Sequence, residues 1–168
     1  VEQWSRDGKL QGSQTFDFPY VSPEVRVTEQ GTFLAGGDPV DEAGGPHFLV
    51  CYAADGREMW RRQWSSGLGN TKILPLPDGS VVVAGSFLQT SVVEGASPVT
   101  LSVTGPDVLS GEGVLVCRYT PQGDLLWAVA PVYATGGVYM HWRLMSDGAG
   151  RLVVAGNFSR ELRTSAQE

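Results

Sequence analysis

Few side chains in this sequence could do chemistry, and their spacing limits which chemistry. His47 and His141 are the only histidines. Neither belongs to a His-x-His or His-Glu-x-x-His pattern, so no metal site is expected. Ser86, Ser110 and Ser159 lack the Gly-x-Ser-x-Gly turn that would expose a nucleophile. Asp-Gly pairs at 7–8, 55–56, 78–79 and 147–148 could suggest calcium loops. Asp78, however, has no acidic companion to supply further oxygen ligands. The pairs therefore read as turns, and His47 as a surface or internally satisfied residue beside a strand. No catalytic residue and no cofactor is assigned.

The sharper candidates come from alignment within the chain. Ser22-Pro23-Glu24 matches Asn70-Thr71-Lys72 at an offset of 48, and that segment matches His141-Trp142-Arg143 at 71. If each segment opens the innermost strand of a sheet, then Glu24, Asn70, Lys72, His141, Trp142 and Arg143 converge on one mouth of a shared channel. They form the candidate ligand-binding set. The alternative is that they are ordinary exposed loop residues.

The elements that would position them are legible as a repeat. Tyr52, Gly56 and Trp60 keep their spacing in Tyr119, Gly123 and Trp127, each 67 residues on, and Trp4 with Gly8 is a degenerate copy 48 residues before Tyr52 and Gly56. A second motif alternates with the first. Gly79-Ser80-Val81-Val82-Val83-Ala84-Gly85 matches Gly150-Arg151-Leu152-Val153-Val154-Ala155-Gly156 at 71, and Gly31 to Gly37 at 48. Periods of this length indicate propellers or solenoids. Asp-Gly supplies the positive φ of tight hairpin turns. The unbroken run Val81-Val82-Val83 predicts a strand buried on both faces. Pro and Gly interrupt every possible helix.

The expected architecture is all-β: a β-propeller segment of about three blade equivalents, built from four-stranded antiparallel sheets. A half-blade over 1–16 precedes a blade over 24–64, a blade over 70–130 and a half-blade over 139–157. Segment 88–112 reads as an insertion and a mobile surface excursion with little to bury, although Val99 to Val103 alternates and could add a strand. Val82, Val154, Trp60 and Trp127 are expected to be buried. Three blade equivalents are too few to close a ring, because propellers have about four to eight blades.

Composition narrows the function. The chain has 168 residues, 42% of them hydrophobic, 22 glycines and a net charge of −6. That suits a folded β protein and argues against nucleic-acid binding, which needs a basic face. Arg57, Arg61 and Arg62 read as a solvated strand end. No apolar run is long enough for a helical membrane span. The chain starts with Val1 rather than Met, so it reads as a processed product or an excised piece. Cys51 and Cys117 fall on strands of adjacent sheets. Stacked sheets sit about 10 Å apart, beyond the roughly 7 Å Cα separation that a disulfide allows. Both are therefore expected as unlinked buried thiols.

The pairing of Asp-Gly-x-Val-x-Val-Ala-Gly-x-Phe with Phe-Leu-Val-x-Tyr-x-x-x-Gly-x-x-x-Trp resembles the bacterial seven-bladed β-propeller repeat family, most closely over 46–87 and 113–158. The resemblance implies four-stranded blades and a secreted or cell-envelope location, with no shared catalytic set. The Gly-x-x-x-Trp spacing also resembles the tryptophan motif of quinoprotein-type propellers. The Ala-x-Asp and Thr-Gly parts of that motif are incomplete here, so no quinone is inferred.

The first functional expectation is a non-enzymatic binding or scaffold module, meeting a protein or glycan at the cell surface. The alternatives are a structural subunit that self-assembles through its half-blades and an enzyme with a polar site at the channel mouth. Partners for the open ends would be further blades of a longer chain or a homo-oligomer.

Overall fold

Among the described residues four tight turns place glycine at positive φ: Gly8 at 77°, Gly56 at 86°, Gly79 at 80° and Gly123 at 85°. Three of them close hairpins of one design. Strand β1 (Glu2–Trp4) pairs with β2 (Leu10–Ser13), β5 (His47–Tyr52) with β6 (Glu58–Trp64), and β11 (Glu112–Tyr119) with β12 (Leu125–Ala134). Trp4 stands opposite Leu10, Tyr52 opposite Glu58 and Tyr119 opposite Leu125. One step further in, Gln3 faces Gly12, Cys51 faces Trp60 and Arg118 faces Trp127. The same extra residue bulges from the second strand each time, which twists each hairpin alike. The turn hydrogen bonds also coincide: Gly8 N–H donates to Ser5 O, Gly56 N–H to Ala53 O and Gly123 N–H to Thr120 O, at 2.9 to 3.0 Å.

This computed structural model describes residues 2–13, 24–29, 31–36, 47–65, 71–103, 112–134, 141–147, 151–157 and 162–164. Among them every regular element is a strand. Two four-stranded antiparallel sheets run in chain order. The first is β3 (Glu24–Thr28), β4 (Gly31–Gly36), β5 and β6; the second is β7 (Lys72–Pro75), β8 (Val81–Leu88), β11 and β12. A further pair joins β13 (His141–Ser146) to β14 (Leu152–Asn157). Strand β7 of the second sheet lies beside β3 of the first and beside β13.

The second sheet is buried on both sides, as its apolar run requires. Val81 and Val83 point into a core with Leu49, Cys51, Trp60 and Trp64 of the first sheet. Val82 and Ala84 point the other way, toward Leu144, Leu152 and Val154 of β13 and β14. Each fully buried valine stabilises the fold by about 1.5–3 kcal/mol relative to exposure. Val82 and Trp60 are buried as expected, but Val154 and Trp127 are only partly so. Their neighbours explain it: β13 and β14 have no third strand beside them among the described residues, so one side of this core is thinly covered.

Segment 88–112 differs from the expected loose excursion. It folds into a hairpin of β9 (Thr90–Val93) and β10 (Val99–Ser102). This hairpin crosses back to the first sheet, where Val93 pairs with Trp64 at the outer edge of β6. Ser91, Val93, Leu101 and Val103 are buried, so the segment does have a core face. Residues 104–111 lie outside the described set. The crossing recurs at the other end of the chain. After β14, strand β15 (Leu162–Thr164) adds to the outer edge of β12. In both cases the chain leaves the second strand of one sheet and adds a strand to the outer edge of the sheet before it.

Candidate functional site

The polar residues singled out by alignment fall on first strands, and the ladder register can be compared directly. Glu24 on β3 stands opposite Ala35, Lys72 on β7 opposite Ala84, and Arg143 on β13 opposite Ala155. The three side chains therefore occupy the same ladder position on three successive first strands. Strand β7 lies beside both β3 and β13, which puts the three positions side by side.

Glu24 and Lys72 meet. Lys72 Nζ lies 3.9 Å from Glu24 Oε2, with the carboxylate 20% exposed and the ammonium 30%. Arg26, two residues along β3 and on the same face, forms a tighter ion pair with Glu24 Oε1. Lys72 Nζ also donates to Thr71 O at 3.3 Å. Pairs with this much solvent contact stabilise by about 0–1 kcal/mol, so their charges remain available to a ligand. Arg143 is exposed. The backbone of His141 pairs with Asn157 and that of Trp142 with Gly156. Asn70 and the side chains of His141 and Trp142 lie outside the described residues. Arg26 was missed by the alignment. Its position two residues after Glu24 on a strand was the available signal, because alternate residues share a face.

The described part of this site is thus one carboxylate, two cations engaged with it, and a third cation at the equivalent register. Such a group can recognise an anionic or hydrogen-bonding surface. The described residues contain no group of three or more His, Cys, Asp or Glu side chains close enough to hold a metal ion. No helix among them is long and apolar enough to cross a membrane. Comparison of the chain with family models, curated proteins and solved structures finds no match.

A second polar group sits between the two four-stranded sheets and is closed to solvent. His47 is fully buried, not at the surface; its ring stacks on Trp64 at 5.7 Å, and its Nδ1 lies 3.4 Å from Thr71 Oγ1. Gly85 lies under the indole: a Cβ there would stand 3.6 Å from Trp64 Cζ2. This group ties β5 and β6 to β7 and β8, and it presents nothing to a ligand.

The arginines near the second turn also have work that sequence alone did not suggest. Arg61 pairs with Glu58 at 2.8 Å and its guanidinium lies over the Phe48 ring. Arg62 is half-buried and its Nε donates to Gly123 O, at 2.6 Å, in the turn of the next sheet. Asp78 is a turn residue, as expected. Its Oδ1 accepts from Ser80 N–H at 3.0 Å and from Ser80 Oγ at 2.6 Å, and its Oδ2 accepts from Arg118 at 2.6 Å. Cys51 and Cys117 are free, buried thiols.

Proposed function

We propose that the chain forms part of a β-propeller and serves as a non-enzymatic binding or scaffold module of a secreted or cell-envelope protein. The observation that carries this reading is the common register of Glu24, Lys72 and Arg143 on β3, β7 and β13, with β7 lying between the other two. First strands side by side are what blades around a central channel require. The identical register and bulge of the β1–β2, β5–β6 and β11–β12 hairpins support the same reading, since repeated units should fold alike.

The charges favour the class of partner. In a chain of net charge −6, Arg26 and Lys72 engage the single carboxylate of Glu24, and Arg143 adds a third cation at the same register on β13. That local excess of positive charge suits the carboxylate or sulfate groups of a surface glycan, or an acidic protein surface. The labelled chain applied to a glycan array, beside a Lys72→Glu/Arg143→Glu variant of the same melting temperature, tests the glycan form. Retention on acidic glycans that the variant loses is the expected result. Equal retention of both proteins, or retention of neither, would count against the site.

A further inference from the structure

The ladder position shared by Glu24, Lys72 and Arg143 holds its charges unequally. The two oxygens of Glu24 face different cations. Oε1 is engaged by Arg26, two residues along the same strand, in a close ion pair. Oε2 faces Lys72 of the neighbouring first strand, with Nζ 3.9 Å away. At that distance the charges attract without a hydrogen bond. An ammonium has three donors. One serves Thr71 O at 3.3 Å, and the group is 30% exposed, so Lys72 keeps donors for another acceptor. On the other neighbour of β7, strand β13, Arg143 stands exposed at the equivalent register. Lys72 thus has a loosely held anion on one adjoining strand and a second cation on the other.

We propose that Glu24 is an internal counterion of Lys72, and that a sulfated glycan chain displaces it. A ligand that met Lys72 alone would exchange one oxyanion for another and gain little. One that reaches Lys72 and Arg143 together gains a second ion pair, and the guanidinium presents a planar fork of donors to an oxyanion. A chain of sulfates supplies such charges in succession. Arg26 makes the exchange feasible. Glu24 is only 20% exposed, and a carboxylate left there without a cation would be costly. Arg26 on Oε1 keeps it paired when Lys72 turns away. Glu24 therefore sets the specificity: it refuses single anions and yields to clustered ones. The inference rests on the reading of this register as a recognition site.

Electrostatics gives the size of the effect. Unit charges about 4 Å apart in water interact strongly enough to change an equilibrium about fivefold. Removing the Glu24 charge should tighten binding by about that factor. Glu58 supplies the control, because its carboxylate pairs with Arg61 on the outer strand β6. That strand is three strands from β3, about 14 Å at ~4.8 Å per strand, beyond the screening length of about 8–10 Å.

Calorimetric titration of the 168-residue chain with a dextran sulfate oligosaccharide tests the proposal. Glu24→Gln should bind about fivefold tighter than the wild type, and Glu58→Gln within about twofold of it. Inorganic sulfate should bind the wild type more weakly than the oligosaccharide by a factor of about ten or more. A gain that Glu58→Gln shares, or inorganic sulfate bound as tightly as the oligosaccharide, would overturn the proposal. A measurement on the wild type covers the case of a variant that fails to fold. The side-chain carboxyl carbon of Glu24 should shift in carbon NMR spectra as the oligosaccharide is added, because Lys72 leaves it. If the oligosaccharide binds the wild type without that shift, or if a folded Glu24→Gln gains nothing, the counterion role alone has failed. If neither the wild type nor Glu24→Gln binds it, the recognition site falls as well.

Discussion

The indole of Trp60 occupies the space above Gly123: a Cβ on that glycine would lie 2.7 Å from Trp60 Cδ2. The same indole donates from Nε1 to Pro121 O at 2.9 Å, and its ring meets Tyr119 at 6.3 Å. The tryptophan of one sheet thus locks onto the Tyr-x-x-x-Gly turn of the next. Gly123 is doubly constrained, by its φ of 85° and by the tryptophan. Gly8 has a φ of 77° and open space. We expect Gly8→Ala to cost about 1–2 kcal/mol from the left-handed backbone alone. Gly123→Ala should cost about 1–3 kcal/mol more, because it overpacks the interface. Urea titrations of the two variants give the comparison; equal losses would mean that Trp60 moves aside freely.

The crossing hairpin belongs to the core. Val93 is fully buried in the same cluster as Trp64, Phe87 and Leu115. Val93→Ala is expected to destabilise by about 1–3 kcal/mol, and Val92→Ala, whose side chain is exposed, by less than about 0.5 kcal/mol. Thermal melts of the pair measure the difference. A neutral Val93→Ala would return segment 88–112 to the status of an appendage.

Burial makes both thiols inert at neutral pH. Desolvation pushes Cys51 up to about 11 and Cys117 up to about 12, so almost no thiolate is present at pH 7. Ellman's reagent should react with neither in the native protein and with both in guanidinium. Rapid native labelling of one equivalent would show that the core opens around a cysteine.

Asp78 links stability to pH. The hydrogen bonds from Ser80 first, and then the Arg118 guanidinium, hold its carboxyl below the ordinary value. A carboxyl depressed in the folded state stabilises above the unfolded value, near 3.9, and that contribution fades as pH falls through the folded value. Asp78→Asn should therefore melt lower than the wild type at pH 7, with the gap narrowing below about pH 4. A gap that is constant with pH would exclude the charge as its cause.

Much of this architecture was legible because it is local. Asp-Gly turns sit between paired strands, and Val81 to Val83 announced a sheet covered on both faces. The shared register of Glu24, Lys72 and Arg143 followed from offsets, since matched units place matched residues alike. Of the crossing strands only β10 was legible, from the alternation over Val99 to Val103. Thr90–Val93 and Leu162–Thr164 are too short to show a period, and their partners on β6 and β12 lie far away in sequence. Nor could the seat of Trp60 be read, because it depends on a turn 63 residues further on. Trp127 was expected to be as buried as Trp60; it packs toward β13 and β14, the half-blade expected over 139–157, and among the described residues no third strand extends that pair.

The propeller arrangement is the central claim, and an electron-density map of the purified protein at a resolution that traces strands tests it most directly. The account requires β3, β7 and β13 to lie side by side around one axis, with their sheets extending outward in chain order and Glu24, Lys72 and Arg143 facing the same opening. A map in which the two four-stranded sheets close face to face as a sandwich, with β13 away from β7, would contradict it.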